Sequence, residues 1–384
     1  MRGIIYAGGT GSQFDLPHQS GPKPAGDHPA GDHLAAGTQP LPHLPMVHDK
    51  PLVYYALSTL MLAGIRDILL VAPPEHIDLY LDALDDGRRW GLNLQYAEET
   101  QPRGIAQALV IGRDFLAGEP VALIRGDNLF FGSGMLDCLM QATHLAEGAR
   151  VLAYRVYDPK RIEVIELYKD GRPHSVAKRP TRLVSEWAVT GLYFFDGRAS
   201  EIAGTLSPSG WGEVEIADLI AWYLNREKLS VERLEPGFAW FNARSADQMA
   251  EAAQFVESLE TQFDLKIACL EEIALGQGFI DMAQFDRLAE LAPVSGYGIY
   301  LKSLAAELTA KGSSTFQRIE EYIAFFHAKL SKEEQASARA LGLRRTIIER
   351  HRMLRLGEEK PALGHRAEGI GEHGEGDQQR AGSA

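Results

Sequence analysis

Gly3-Ile-Ile-Tyr-Ala-Gly-Gly-Thr-Gly11 decides the reading of this chain. Gly3 to Ala7 is a short apolar run with strand character, and Gly8-Gly9-Thr10-Gly11 then lets backbone N–H groups come close to a bound anion. A strand that opens directly into such a loop is half of a nucleotide site. The other half should be cations, yet the next residues are Ser12-Gln13-Phe14-Asp15, with an acid where a base would help.

Working outward, helical and strand periods alternate. Val53 to Ala63 reads as a helix, Asp67 to Ala72 as a strand and Glu75 to Leu84 as a second helix. Further strands are expected at Leu92 to Tyr96, Val121 to Ile124, Val151 to Val156 and Thr190 to Phe195, with a helix at Gly104 to Phe115. This is βαβ logic. It implies an α/β fold with a Rossmann-like, mostly parallel sheet, helices on both faces and a ligand at the carboxyl ends of the strands.

The 384 residues, 45% of them hydrophobic, can bury a large core. A formal charge of -13 argues against nucleic acid or an anionic membrane as the general partner. Cys138 and Cys269 are too far apart for a C-x-x-C site and read as core residues. The N-terminal apolar run is too short for a signal or a span, so a cytoplasmic protein is expected.

Between the glycine loop and Pro51 lies a Pro-, Gly- and His-rich insertion at about 24–45. It carries a tandem repeat, Pro24-Ala-Gly-Asp-His28 and Pro29-Ala-Gly-Asp-His33. His18, His28, His33, His43 and His48, with Asp27 and Asp32, raise a metal reading. Repeated Pro and Gly hold no two histidines on one helical face, so a mobile loop is the plainer one. After Lys311, Phe316, Ile319, Ile323, Phe326 and Leu330 fall at helical spacing, and an Arg-rich helix follows, with Arg339, Arg344, Arg345, Arg350, Arg352 and Arg355. Residues 306–356 therefore read as a C-terminal helical extension that most often packs on its own protein or oligomer, and less often contacts an acidic partner or nucleic acid. From Gly357 the tail, 357–384, has the composition of a disordered segment.

The ordered motifs across residues 1–305 resemble the sugar-1-phosphate nucleotidylyltransferases, and among them the glucose-1-phosphate thymidylyltransferases. Besides the glycine loop, they are Asp49-Lys-Pro51, Tyr54 to Asp67, Trp90-Gly-Leu-Asn-Leu-Gln-Tyr96 and Gly104-Ile-Ala-Gln-Ala108. Downstream come Gly126-Asp-Asn128, Ala188 to Asp196, Gly212-Glu-Val-Glu-Ile216 and Gly278-Phe-Ile-Asp281. The resemblance implies the nucleotidyltransferase fold and usually a homo-oligomer. Its chemistry is attack of a sugar-1-phosphate on the α-phosphorus of a nucleoside triphosphate, dTTP by resemblance, with pyrophosphate leaving and Mg²⁺ held by aspartates. Such chemistry depends on positioning and charge neutralisation.

The resemblance assigns nucleotide contacts to Gly8, Gly9, Gly11, Glu99 and Gly104. It places Lys23 at the loop lysine and Gln13 where the family has an arginine for the leaving group. Glu99 replaces a base-reading glutamine and, when ionised, can only accept. Sugar-phosphate contacts fall on Asn128, Glu163, Lys178, Arg179 and Val189, where Glu163 replaces a glycine and Lys178 the carboxylate for sugar hydroxyls. Asp127 matches the first metal aspartate; Asn242 stands at the second, with Arg244 where a glycine is usual, and Arg125 replaces an apolar residue. Losing the arginine and two carboxylates, at roughly 1.5–3 kcal/mol each, would cost on the order of 10³–10⁶ in rate if the losses were independent.

Two readings remain open at this point. One is an enzyme making NDP-sugar and pyrophosphate with Mg²⁺, its activity impaired or altered, with Arg125, Lys178 and Arg244 replacing lost charge. The other is a pseudoenzyme that binds nucleotide or nucleotide-sugar and acts as a regulatory or assembly subunit.

Overall fold

The structure is a computed structural model describing residues 1–8, 44–132, 135–156, 163–178, 185–210, 212–234, 238–263 and 266–310. The chain divides into two compact units, Met1–Gln335 and Ala336–Ala384; every described residue belongs to the first. The histidine-rich insertion up to His43, the segment beyond residue 310, and Gly9, Gly11, Gln13, Lys23 and Arg179 lie outside the described residues.

In chain order the unit begins with β1 (Arg2–Tyr6), the short hairpin β2 (Met46–Val47) and β3 (Lys50–Pro51), α1 (Leu52–Leu62), β4 (Asp67–Ala72), α2 (Pro74–Leu84) and β5 (Asn93–Glu98). Next come α3 (Gln107–Ile111), α4 (Arg113–Leu116), β6 (Val121–Arg125), β7 (Asn128–Gly132), α5 (Met135–Thr143), β8 (Ala149–Arg155), β9 (Val164–Leu167), β10 (Pro173–Ala177) and β11 (Trp187–Phe195). It closes with α6 (Ala199–Thr205), α7 (Ile216–Leu224), β12 (Leu229–Leu234), β13 (Phe238–Asn242), α8 (Ala246–Phe263), α9 (Leu270–Gly276), α10 (Met282–Leu291) and α11 (Gly296–Ala310).

The main sheet runs β10-β9-β11-β6-β1-β4-β5, with β8 on β11 and β12 on β8. Its parallel half, β6-β1-β4-β5, is the part that the βαβ periodicity predicts. Because side chains alternate along a strand, Ile5, Leu70 and Ile124 enter one core and Ile4, Leu69 and Leu123 the other. A strand buried on both faces must be apolar at every position, hence the unbroken Ile4-Ile5 and Ile68-Leu69-Leu70-Val71. One core is closed by residues of α1, α9, α10 and α11, the other by residues of α3, α6 and α7. A third cluster seats Val256 and Leu259 of α8 against Leu129 of β7 and Val47 of β2.

Beyond β6 the sheet changes direction: β11 pairs antiparallel with β6, and β9-β10 is an antiparallel hairpin. The helix expected over Gly104 to Phe115 is two pieces, α3 and α4, separated at Gly112. A Cβ there would sit 2.9 Å from Ile4 Cδ1, so the glycine lets the chain lie close on β1 at the cost of helix continuity. At the far end α11 runs unbroken through residue 305, the boundary expected from sequence.

Gly148 turns the chain into β8 with φ +94°, and a Cβ on it would meet the Lys228 carbonyl oxygen at 2.3 Å. That carbonyl already accepts the Ala149 N–H, and the Gly148 N–H donates to Asp196 Oδ2 at 2.7 Å. Gly148→Ala combines a strained φ with a backbone clash, so it should cost about 3 kcal/mol. The urea midpoint of the variant checks this; an unchanged midpoint would mean that the turn relaxes freely.

Candidate functional site

The carboxyl ends of β1 and β6 lie side by side, with Tyr6 opposite Arg125 and the Gly126 N–H donating to the Tyr6 carbonyl at 2.8 Å. Chain leaving β6 passes through Gly126-Asp127 and re-enters as β7, which pairs with β13 in a separate ribbon that sets Asn242 opposite Asn128. The Ala243 N–H donates to the Asp127 carbonyl at 2.8 Å, tying the ribbon's end to the turn. Residues far apart in sequence thus converge on Asp127.

Asp127 is 6% exposed, and both of its carboxylate oxygens are engaged. Arg125 Nε donates to Oδ1 at 3.3 Å and Arg244 Nε to Oδ2 at 3.0 Å, while Asn128 Nδ2 also donates to Oδ1. Burial by itself would raise this carboxyl, but the two guanidiniums and their hydrogen bonds outweigh it and hold Asp127 below the usual carboxylate range. Burial likewise opposes the charge on Arg125, and Asp127, with Tyr193 and Glu163 nearby, keeps the guanidinium firmly protonated.

Asn128 is fully buried and fixed from the other side: its Oδ1 accepts from the Gly191 N–H at 3.1 Å and from Trp240 Nε1–H. Gly191 must lack a side chain, because a Cβ would come within 2.6 Å of Asn128 Oδ1 and 2.8 Å of Arg125 Cδ. A cleft opens here, lined by Arg125, Asn128, Glu163, Val189, Gly191, Tyr193, Trp240, Asn242 and Arg244. Six positions singled out in the sequence therefore meet in one place: Arg125, Asn128, Glu163, Val189, Asn242 and Arg244. The Val189 N–H donates to the Glu163 carbonyl at 2.8 Å, which fixes the edge of the cleft.

Lys178 lies elsewhere, its Nζ paired with Asp218 Oδ2 of α7 at 2.6 Å on the half-exposed surface. Glu99 directly follows β5, against Gly8, is 3% exposed and accepts the Tyr6 hydroxyl on both oxygens at 3.0 and 3.1 Å. Its carboxylate fills the place where a Cβ of Gly8 would stand, 2.1 Å away. Burial, and then the Glu99 charge, drive the Tyr6 hydroxyl far above its usual value, so it stays a donor. Gly104 follows in the loop that the Val214 N–H fastens by donating to the Arg103 carbonyl at 2.6 Å.

Whether a divalent cation fits at Asp127 can be judged from the donors. Mg²⁺ requires near-octahedral oxygen ligands and is commonly held by one or two carboxylates. Asp127 already shares its oxygens with two guanidiniums, and Asn242 offers only a neutral carbonyl, its buried Oδ1 without a hydrogen-bond partner among the described residues. A divalent ion about 5 Å from a guanidinium would be repelled on the order of 6 kcal/mol at an effective dielectric of about 20. The residues present do not fit the metal. Elsewhere, His48, Asp49 and Glu260 approach one another as ligands would, but Lys50 and Lys266 already pair with both carboxylates. His18, His28, His33 and His43 lie outside the described residues.

Of the residues that matter here, Trp240 and Gly191 escaped the sequence reading. Both sat in stretches that match the family, Gly191 within Ala188 to Asp196 and Trp240 two residues before Asn242, but neither carried a role. The acidic turn after β6 thus lies beside the carboxyl end of β1, in the parallel half of an α/β sheet, the place where open α/β sheets commonly bind ligands.

Residues 36–258 match the family described as nucleotidyl transferase, and the chain belongs to that family. The glucose-1-phosphate thymidylyltransferase of Xanthomonas campestris pv. campestris (strain B100) is 43% identical over 304 residues, 79% of this chain and 97% of the relative. That of Neisseria meningitidis serogroup A / serotype 4A (strain DSM 15465 / Z2491) is 41% identical over 304 residues, 79% of this chain and 99% of its own. Among solved structures, a Bacillus anthracis chain assigned to the glucose-1-phosphate thymidylyltransferases, in complex with sucrose, superposes with TM-score 0.56 at 29% identity over 66% of this chain and 94% of that one. A UDP-glucose pyrophosphorylase complexed with UDP-glucose shares the fold, with TM-score 0.53 at 20% identity over 67% of this chain and 98% of the other. Among the described residues, no helix is long and apolar enough to cross a membrane.

Proposed function

We propose that this chain is a non-catalytic member of the sugar-1-phosphate nucleotidylyltransferases, one that binds a nucleotide-sugar or its precursors without joining them. The observation that carries this reading is the capture of Asp127 by Arg125 and Arg244. In a metal-dependent relative that carboxylate must be free for the ion, and its companion here is Asn242. The ligands implied by the relatives' names are glucose-1-phosphate and a thymidine nucleotide. Glu99, which cannot donate to thymine when ionised, leaves the base open. We place the protein in the cytoplasm as a homo-oligomer, with residues 306–356 as a helical extension serving assembly and a regulatory or scaffolding role.

The alternative is a slow enzyme that makes NDP-sugar and pyrophosphate, with the same guanidiniums neutralising charge in place of a metal. Pyrophosphate release by the full chain, given dTTP, glucose-1-phosphate and Mg²⁺, separates the two. We expect release at the protein-free background while the sugar phosphate still binds. Turnover that is lost in Arg244→Ala would establish the enzyme instead.

A further inference from the structure

The misfit at Asp127 has a second side, because what excludes the metal also brings positive charge. In the family as its motifs imply, two aspartates are balanced by one divalent ion. Here the carboxylates lining or bounding the cleft are Asp127 and Glu163, and the groups that balance them are Arg125 and Arg244. The charge that a relative must recruit from solution is covalently attached.

Geometry makes the pair more than a local neutralisation. Both arginines reach Asp127 through Nε alone, so each guanidinium keeps its terminal NH₂ groups outside that contact. Asp127 is itself held by Asn128, whose other end is fixed by Gly191 and Trp240, so the scaffold that aims the guanidiniums is hydrogen-bonded throughout. Both arginine side chains line the same cleft, and neither is fully enclosed, at 20% and 42% exposure. Planar forks anchored at one edge and open at the other are suited to phosphoryl oxygens, which they bind through two parallel bonds.

We infer that Arg125 and Arg244, aimed by Asp127, form a metal-independent binding site for the phosphoryl group of a hexose-1-phosphate or of a nucleoside-diphosphate hexose. This rests on the reading of the cleft as the family's ligand site, but not on the absence of turnover. Arg125 and Arg244 together supply the two positive charges that a divalent ion supplies in a relative. Glu163 lines the same cleft, where its carboxylate can accept sugar hydroxyls, a role for which Lys178, turned away to Asp218, does not serve.

Calorimetric titration of the full chain tests this with glucose-1-phosphate, dTDP-glucose and inorganic phosphate, each in EDTA and again in excess Mg²⁺. Affinity for at least one sugar-bearing probe should be the same within about twofold in the two buffers. Arg244→Gly should weaken that probe in EDTA by about 20-fold or more, the loss of a charge-assisted contact. Arg244→Lys, which keeps the charge but not the fork, should fall between. Tightest binding by glucose-1-phosphate would name the monoester as ligand, and by dTDP-glucose the diphosphate. Binding that requires Mg²⁺, an Arg244→Gly chain that melts normally and binds as well as the parent, inorganic phosphate matching both sugar probes, or no binding by any probe would each overturn the site. Pyrophosphate release by the native chain would overturn the non-catalytic reading while leaving this one standing.

Discussion

Asp127→Ala is expected to destabilise the protein by about 3–5 kcal/mol, because it leaves the Arg125 guanidinium, only 20% exposed, without its counter-charge. Arg244 is more open and can turn to solvent, so most of the loss belongs to Arg125 and to the freed Asn128 amide. For a domain of this size the melting temperature should fall by roughly 5–10 °C. The pH dependence carries the sharper signature. Asp127 has its folded-state carboxyl below the usual range, so its contribution is fully present above the unfolded value of about 3.9. It is lost as pH falls below that value toward the folded one. Parent and variant should therefore differ at neutral pH and converge as the pH drops below about 4. Asp49 and Asp196, also held low, are present in both and cancel in the comparison. A stability gap that stays constant through the acid range, or no gap at neutral pH, would show that the ion pairs do not hold this turn together.

The same residues show what sequence could and could not disclose. Ile4-Ile5 and Ile68 to Val71 carry burial on both faces in their composition, so the parallel half of the sheet and its helices were legible. Gly112 was visible too, but its effect was not: only the approach of Ile4 shows why the helix is interrupted there. The antiparallel arrival of β11 on β6 had no local marker, since pairing is decided between residues about 70 positions apart.

At the site, Gly126-Asp127-Asn128 stood out because the motif is contiguous. Arg125 and Arg244 were noticed as departures from that pattern, yet their direction was beyond sequence. It depends on the turn after β6 and on β13 lying along β7, a ribbon that joins positions 117 residues apart. Lys178 shows the reverse case: a cation suited by type and position, which the fold spends on Asp218 of α7. The role of Trp240 was unreadable for the same reason, since its indole N–H acquires a purpose only when β13 places it against Asn128.

If guanidinium has displaced metal, the displacement should be reversible by substitution. In the double variant Asn242→Asp with Arg244→Gly, the freed Asp127 oxygen and a new carboxylate on the facing strand would stand together, with one cation removed. The Coulomb change is on the order of 6 kcal/mol for a divalent ion beside one guanidinium. Halved for the 42% exposure of Arg244, and supplemented by the negative charge that Asn242→Asp introduces, it corresponds to a gain of about 10³-fold or more in Mg²⁺ affinity. Thermal melting reads this without reference to turnover. Mg²⁺ should leave the parent's melting temperature unchanged and raise that of the double variant in proportion to the logarithm of its concentration. Adding Gln13→Arg, which returns a cation to the glycine loop, should then bring Mg²⁺-dependent pyrophosphate release from dTTP and glucose-1-phosphate, a reaction in which fixed charge at the phosphates supplies most of the acceleration. If the parent is already stabilised by Mg²⁺, the guanidiniums do not occupy the metal's place. If instead the double variant binds Mg²⁺ and the triple variant stays silent, the obstacle to catalysis lies at Glu99 or Glu163 rather than at the metal position.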